Sequence, residues 1–153
     1  MPARTGHPNE AASDPPPWWR GALVGAALVA GLLGVATIWV TLALWVDRAC
    51  GWMALVAAVD FALLLRLVRA PAGTARMLLA AVATLVACAA SAWLIAAGQM
   101  GSMMGLYPLE SALRLGPVLG WELTRLGFTA WDWACVGFSP VVAALLGFER
   151  RRG

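Results

Sequence analysis

The sequence predicts an all-α integral membrane protein, a four-transmembrane-helix bundle with an additional amphipathic interfacial helix between helices 3 and 4. Three observations predict it. Apolar residues make up 61% of the chain and charged residues only 12%, where a soluble domain carries about a quarter charged residues. The apolar residues gather into long runs, two of which have no charge over 26 and 24 residues, and a bilayer core needs about 20 helical residues. The 11 cationic residues are all Arg, and they sit at the ends of these runs, in the loops and in the tails.

The elements follow in order. Residues 1–17 are polar and Pro-rich, and read as a disordered cytoplasmic tail with a stiff tip at Pro15–Pro17. They make a poor signal peptide, because Glu10 and Asp14 precede a run far too long for its apolar core. Residues 18–149 form the transmembrane domain. Its first span is 21–46, anchored by Trp18, Trp19 and Arg20 at an interface and closed by Asp47 and Arg48. The second, about 49–67, follows after only a few residues, so the pair is an antiparallel hairpin. Arg66 and Arg69 end it, where long cationic side chains reach water. Ala70-Pro71-Ala72-Gly73 is a turn. The third span is about 77–100, opened by Arg76. The fourth, about 128–148, contains Asp132 and Pro140. Residues 150–153 are a basic cytoplasmic tail.

Arginine placement orients the bundle. With both termini inside, the cytoplasmic side carries Arg4, Arg20, Arg66, Arg69, Arg76, Arg150, Arg151 and Arg152, and the other side Arg48, Arg114 and Arg125. Eight against three is the positive-inside bias. An Arg-only, Ala- and Gly-rich chain points to GC-rich bacterial coding, hence an inner membrane.

Between spans 3 and 4, residues 109–126 read as an amphipathic helix. On a helical wheel Glu110, Ser111, Arg114, Trp121, Glu122, Thr124 and Arg125 fall on one side. Leu109, Ala112, Leu113, Leu115, Leu119, Leu123 and Leu126 fall on the other, with Val118 a lone aliphatic on the polar side. Gly116-Pro117 predicts a kink or two short helices. Glu110–Arg114 and Glu122–Arg125 have ion-pair spacing, each pair contributing about 0.2–0.5 kcal/mol when exposed.

Few residues here are costly enough in lipid to need explaining. Asp60 lies about 13 Å along the helix from Arg69, near mid-bilayer, where a carboxylate costs at least about 2.5–3.5 kcal/mol. It reads as a proton relay, an ion ligand or a contact to a partner's helix, against a structural acid hydrogen-bonded to Thr84, Cys88 or Ser91. Gly21/Gly25, Ala27/Gly31 and Ala30/Gly34 in the first span, and Ala83/Ala87/Ser91 in the third, are small-residue seams. Such seams let backbones approach closely, either within the bundle or in an oligomer. Met100, Met103 and Met104 are soft donors, yet gap-filling is the commoner use of Met, and no His stands near them. Cys50 and Cys135 fall near one end of their spans, as a bridge or as two free thiols. Seven of the nine Trp (Trp39, Trp45, Trp52, Trp93, Trp121, Trp131, Trp133) map to the outer half. That is an aromatic belt, or an outer-face ligand site formed by Arg114, Trp121, Glu122, Arg125, Trp131, Asp132 and Trp133.

No phosphate-binding, nucleophile-elbow, zincin or dinucleotide motif occurs, so no catalytic residue, metal or cofactor is expected. A basic stripe on a soluble face, the footprint of a nucleic-acid binder, is missing. The two hairpins do not repeat one another, which argues against an inverted-repeat transporter. The leading expectation is a non-enzymatic structural or accessory component of the inner membrane. Its partners would be membrane lipids and a second copy or another membrane protein, met through helix–helix contacts. The alternatives are a proton- or ion-coupled carrier using Asp60, and a lipid or amphiphile binder at the periplasmic face.

Overall fold

The computed structural model describes residues 17–70, 73–105 and 107–147. The N-terminal tail before Pro17, residues 71–72 of the turn, and residues 148–153 with their basic cluster lie outside them. The described chain is all helical: α1 (Pro17–Val46), α2 (Met53–Leu67), α3 (Thr74–Met104), α4 (Pro108–Arg114), α5 (Pro117–Gly127) and α6 (Ala130–Gly147). Three of these, α1 from Trp18, α3 and α6, are long and apolar enough to cross a membrane. Their outward faces fit that solvent. Val29, Leu33, Ile38, Val82, Leu145 and many other large apolar side chains stand exposed with no protein over them. In water so much bare apolar surface marks an interaction site or an aggregation hazard, whereas in lipid it carries no penalty.

Hydrogen bonds at the helix ends fix the topology. The indole of Trp39 in α1 donates to the Ala49 carbonyl at 2.9 Å, closing the α1–α2 connection. The backbone N–H of Gly51 donates to Asp132 Oδ1 at 2.7 Å, which sets the start of α2 beside the start of α6. At the far end, Arg66 Nη2 donates to the Leu146 carbonyl at 2.7 Å and Arg76 Nε to the Gly147 carbonyl at 3.0 Å. So α2 and α6 run parallel, α1 and α3 run the other way, and the first and last described residues share one end of the bundle. The two arginines satisfy carbonyls that a helix C-terminus leaves without partners. Arg76, which opens the third span, is buried while doing so.

The helix boundaries differ from the sequence expectation for local reasons. α1 starts at Pro17, not at residue 21, because Pro is pre-set for a first helical turn and charge does not stop a helix that emerges from lipid. α2 starts at Met53, not 49, because Cys50 takes a left-handed φ of 49° and the chain turns through Gly51–Trp52. α2 has 15 residues, about 22 Å of helix against a hydrocarbon core of about 30 Å.

The core is made of small residues around a few large ones. Trp39, Phe61 and Leu65 are fully buried among Ala43, Ala54, Ala57, Ala58, Ala62, Ala80, Ala87 and Ala143. Ala87 and Ser91 of the α3 seam are inside the bundle, so that seam serves internal packing. The α1 seam divides. Gly31 lies against Phe61 and Leu64 of α2, whereas a Cβ added at Gly21, Gly25 or Gly34 would meet nothing within 4 Å.

Residues 109–126 fall into two helices, α4 and α5, separated at Leu115–Gly116, with Pro117 opening the second. Their inward faces match the apolar side of the wheel only in part: Ala112, Leu115 and Leu123 pack inward. Ser111 is buried, while Leu113 and Leu126 are 83% and 81% exposed. Close approach decides this instead of hydrophobicity. A Cβ at Gly120 would come within 2.6 Å of the Trp93 ring, so the flat indole of α3 seats on an α5 position without a side chain. Glu110 and Arg114 pair at 2.7 Å. Among the described residues Glu122 and Arg125 form no such pair.

Candidate functional site

Asp60 is half-buried, on the ridge of α2 that carries Val56, Leu63 and Leu67, all exposed. The buried face of α2 is Ala54, Ala57, Ala58, Phe61, Ala62 and Leu65, and at about 100° per residue Asp60 lies beside that face, not on it. Its Oδ2 is 3.4 Å from where a Gly31 Cβ would be, so it edges the α1–α2 groove. Among the described residues it makes no hydrogen bond or ion pair.

The hydroxyls and thiol expected to hold Asp60 are engaged or turned elsewhere. Thr84 Oγ1 donates to the Ala80 carbonyl at 2.8 Å. Ser139 Oγ donates to the Val136 carbonyl at 2.8 Å, which leaves Cys88 to donate to Ser139 Oγ at 3.8 Å. Ser91 Oγ is buried without a partner. The reading of Asp60 as an acid tied to α3 is therefore corrected: it points out of the bundle, toward α1 and the surrounding medium.

The residues grouped as an outer-face ligand site separate into three kinds. Trp121 and Trp133 come together edge-on with ring centroids 5.9 Å apart, and Phe128 packs on Trp133 at 5.5 Å. Arg114, Glu122, Arg125 and Trp131 are exposed, with Arg114 held by Glu110. Asp132 is structural. Its Oδ2 accepts from the Thr129 N–H at 2.9 Å and hydroxyl at 2.7 Å, and Thr129 Oγ1 accepts from the Asp132 N–H at 3.3 Å. That reciprocal pair is a capping box at the start of α6, and Oδ1 of the same carboxylate holds Gly51. The Thr129-x-x-Asp132 spacing ahead of an apolar run was the sequence signal for it. Nothing local announced the link to Gly51.

Trp121, Trp133 and Phe128 also wall a cleft of about 370 Å³ between α3, α5 and α6. Trp93 closes its end, with its indole N–H donated to the Ala112 carbonyl at 3.2 Å. Cys88, Ala89 and Ala92 form its floor along α3, and Leu85 and Val136 its deeper rim. Trp39 and Trp93 thus leave the aromatic belt: one is core, the other a strut under α4 and α5. Cys50, Cys88 and Cys135 are all free thiols. Met100 packs beneath α4, whereas Met103 and Met104 are exposed, so the three thioethers do not converge.

Comparison with protein-family models, with curated proteins and with solved structures finds no match to this chain.

Proposed function

We propose that the protein is a small non-enzymatic component of a bacterial inner membrane that works through helix–helix contacts made by the α1–α2 face. In this reading α2 is a fourth, short crossing. It is tied at one end to the start of α6 and at the other to its finish, so it runs through the same depth as a helix long enough to span. Both termini then lie on the arginine-rich, cytoplasmic side, and α4 and α5 lie at the opposite, periplasmic interface.

The observation that carries the proposal is Asp60. Placed among Val56, Leu63 and Leu67 with no partner among the described residues, its carboxyl would cost about 2.5–3.5 kcal/mol in lipid. A hydrogen-bonding group on a neighbouring helix removes that cost, and intramembrane polar contacts are worth about 0.6–2 kcal/mol each. Gly34 lies one turn along α1 from Gly31, and a Cβ there would meet nothing within 4 Å, so a second helix can come close there.

The test is crosslinking in native membranes followed by mass analysis in mild detergent, for wild type, Asp60→Asn and Asp60→Leu. Wild type should yield a defined dimer or hetero-complex. Asp60→Asn, which still donates and accepts, should keep most of it, and Asp60→Leu should lose it at least tenfold. A strict monomer in all three would overturn the proposal. Loss of a cellular phenotype in Asp60→Asn with the complex intact would favour the carrier reading instead.

A further inference from the structure

The cleft between α3, α5 and α6 is separate from the Asp60 face and has the make-up of a ligand site. Its volume of about 370 Å³ falls within the range of about 300–1,000 Å³ usual for small-molecule pockets, which are likewise lined by apolar and aromatic groups. From Leu85 to Trp93 it follows α3 for about 12 Å, and its width is set by the small floor residues Ala89 and Ala92. The aromatic wall is held in place. Trp93 is hydrogen-bonded to the Ala112 carbonyl and seated on Gly120, and Trp133 is packed between Trp121 and Phe128.

Leu85, and Ala89 at the outer side of the floor, are exposed, so the cleft opens sideways and is continuous with the lipid-facing surface. The Thr124 hydroxyl inside it already donates its proton to the Gly120 carbonyl at 2.8 Å, so the lining offers little to a polar ligand. Arg125 does not line the cleft; it is exposed on the flank of α5, one turn on from Trp121, without an ion pair among the described residues. Glu122 lies further round the helix, away from the cleft.

We propose that this cleft holds one hydrocarbon tail of an anionic bilayer lipid, with the acidic head at Arg125. The tail lies along α3 between Ala89, Ala92 and Trp133. The aromatic rings clasp it at the interface, where Trp is at home, and a guanidinium is well suited to a phosphodiester.

The experiment places the full chain in nanodiscs of equimolar phosphatidylglycerol and phosphatidylcholine. Retained lipid is counted by native mass spectrometry after transfer to detergent, with helicity and melting followed in parallel. Wild type should retain one phosphatidylglycerol. Ala92→Trp fills the floor and should cut retention at least tenfold. Ala89→Trp does so from the exposed edge, where folding is least at risk, and should act alike with melting unchanged. Arg125→Gln should still retain one lipid but lose the preference for phosphatidylglycerol. Retention by a well-folded Ala89→Trp equal to wild type overturns the tail site. A wild type that carries lipid only in proportion to the nanodisc composition overturns the proposal as a whole. So does an apolar molecule other than lipid in the cleft.

Discussion

Asp132 shows how much one carboxylate can organise in a chain this poor in polar groups. It caps α6 through Thr129 and holds the α1–α2 turn through Gly51. Removing it leaves backbone donors without partners at both places. Asp132→Ala should lower stability by about 1–3 kcal/mol, from the lost cap and the orphaned N–H, read as a fall in melting temperature in detergent. Gly51→Ala should do the same from the other side, since its Cβ would stand 2.5 Å from the Asp132 backbone and neither chain has a flexible end to yield. Trp39→Phe removes the indole N–H with part of the ring and leaves the buried Ala49 carbonyl unpaired, at a cost of at least about 1–3 kcal/mol by the same assay. The capping half of Asp132 was legible as Thr-x-x-Asp before an apolar run. The Gly51 half was not, because a contact across 81 positions leaves no trace in local spacing.

Among the elements, α5 is where periodicity misled. The wheel sorted residues 109–126 by polarity, and of its leucine side only Ala112, Leu115 and Leu123 pack inward. The structure packs Gly120 and Thr124 inward, against Trp93 and its neighbours on α3, and leaves Leu126 outside. At an interface the outward side need not be polar, so hydrophobic contrast loses its power to say which side faces protein. Steric fit decides instead, and a glycine opposite a tryptophan is a fit that one-dimensional patterns do not record. Gly120→Leu should therefore push α5 off α3 and cost about 1–3 kcal/mol as overpacking. It should also expose α5 to proteolysis ahead of the rest of the chain. Val118→Leu, on the exposed side, should change neither. The long apolar helices were legible for the opposite reason: in α1 and α3 length and composition alone suffice. α2 was legible as an apolar run but not in its extent, because its start is set by a turn that Trp39 and Asp132 hold from outside it.

For the whole molecule, the two ends of the bundle are built differently. One end is held by arginines on the last carbonyls of α6, the other by a carboxylate and indoles on backbone groups. The alternation of apolar runs anticipated which ends group together, and the arginines expected at one end, Arg66 and Arg76, cap α6 there. Asp60 was legible as costly, but its direction was not: whether it faces α3 or the medium depends on which ridge of α2 meets its neighbours. The proposed function requires above all that α2 cross the membrane, since a crossing puts Asp60 in lipid and both termini on one side. The most direct measurement labels single cysteines with a membrane-impermeant maleimide, in intact and lysed spheroplasts, after the native cysteines are removed. Trp52→Cys and Met103→Cys should label in intact spheroplasts, and Thr74→Cys only after lysis. If Trp52→Cys and Thr74→Cys label from the same side, α2 does not cross and the account is contradicted.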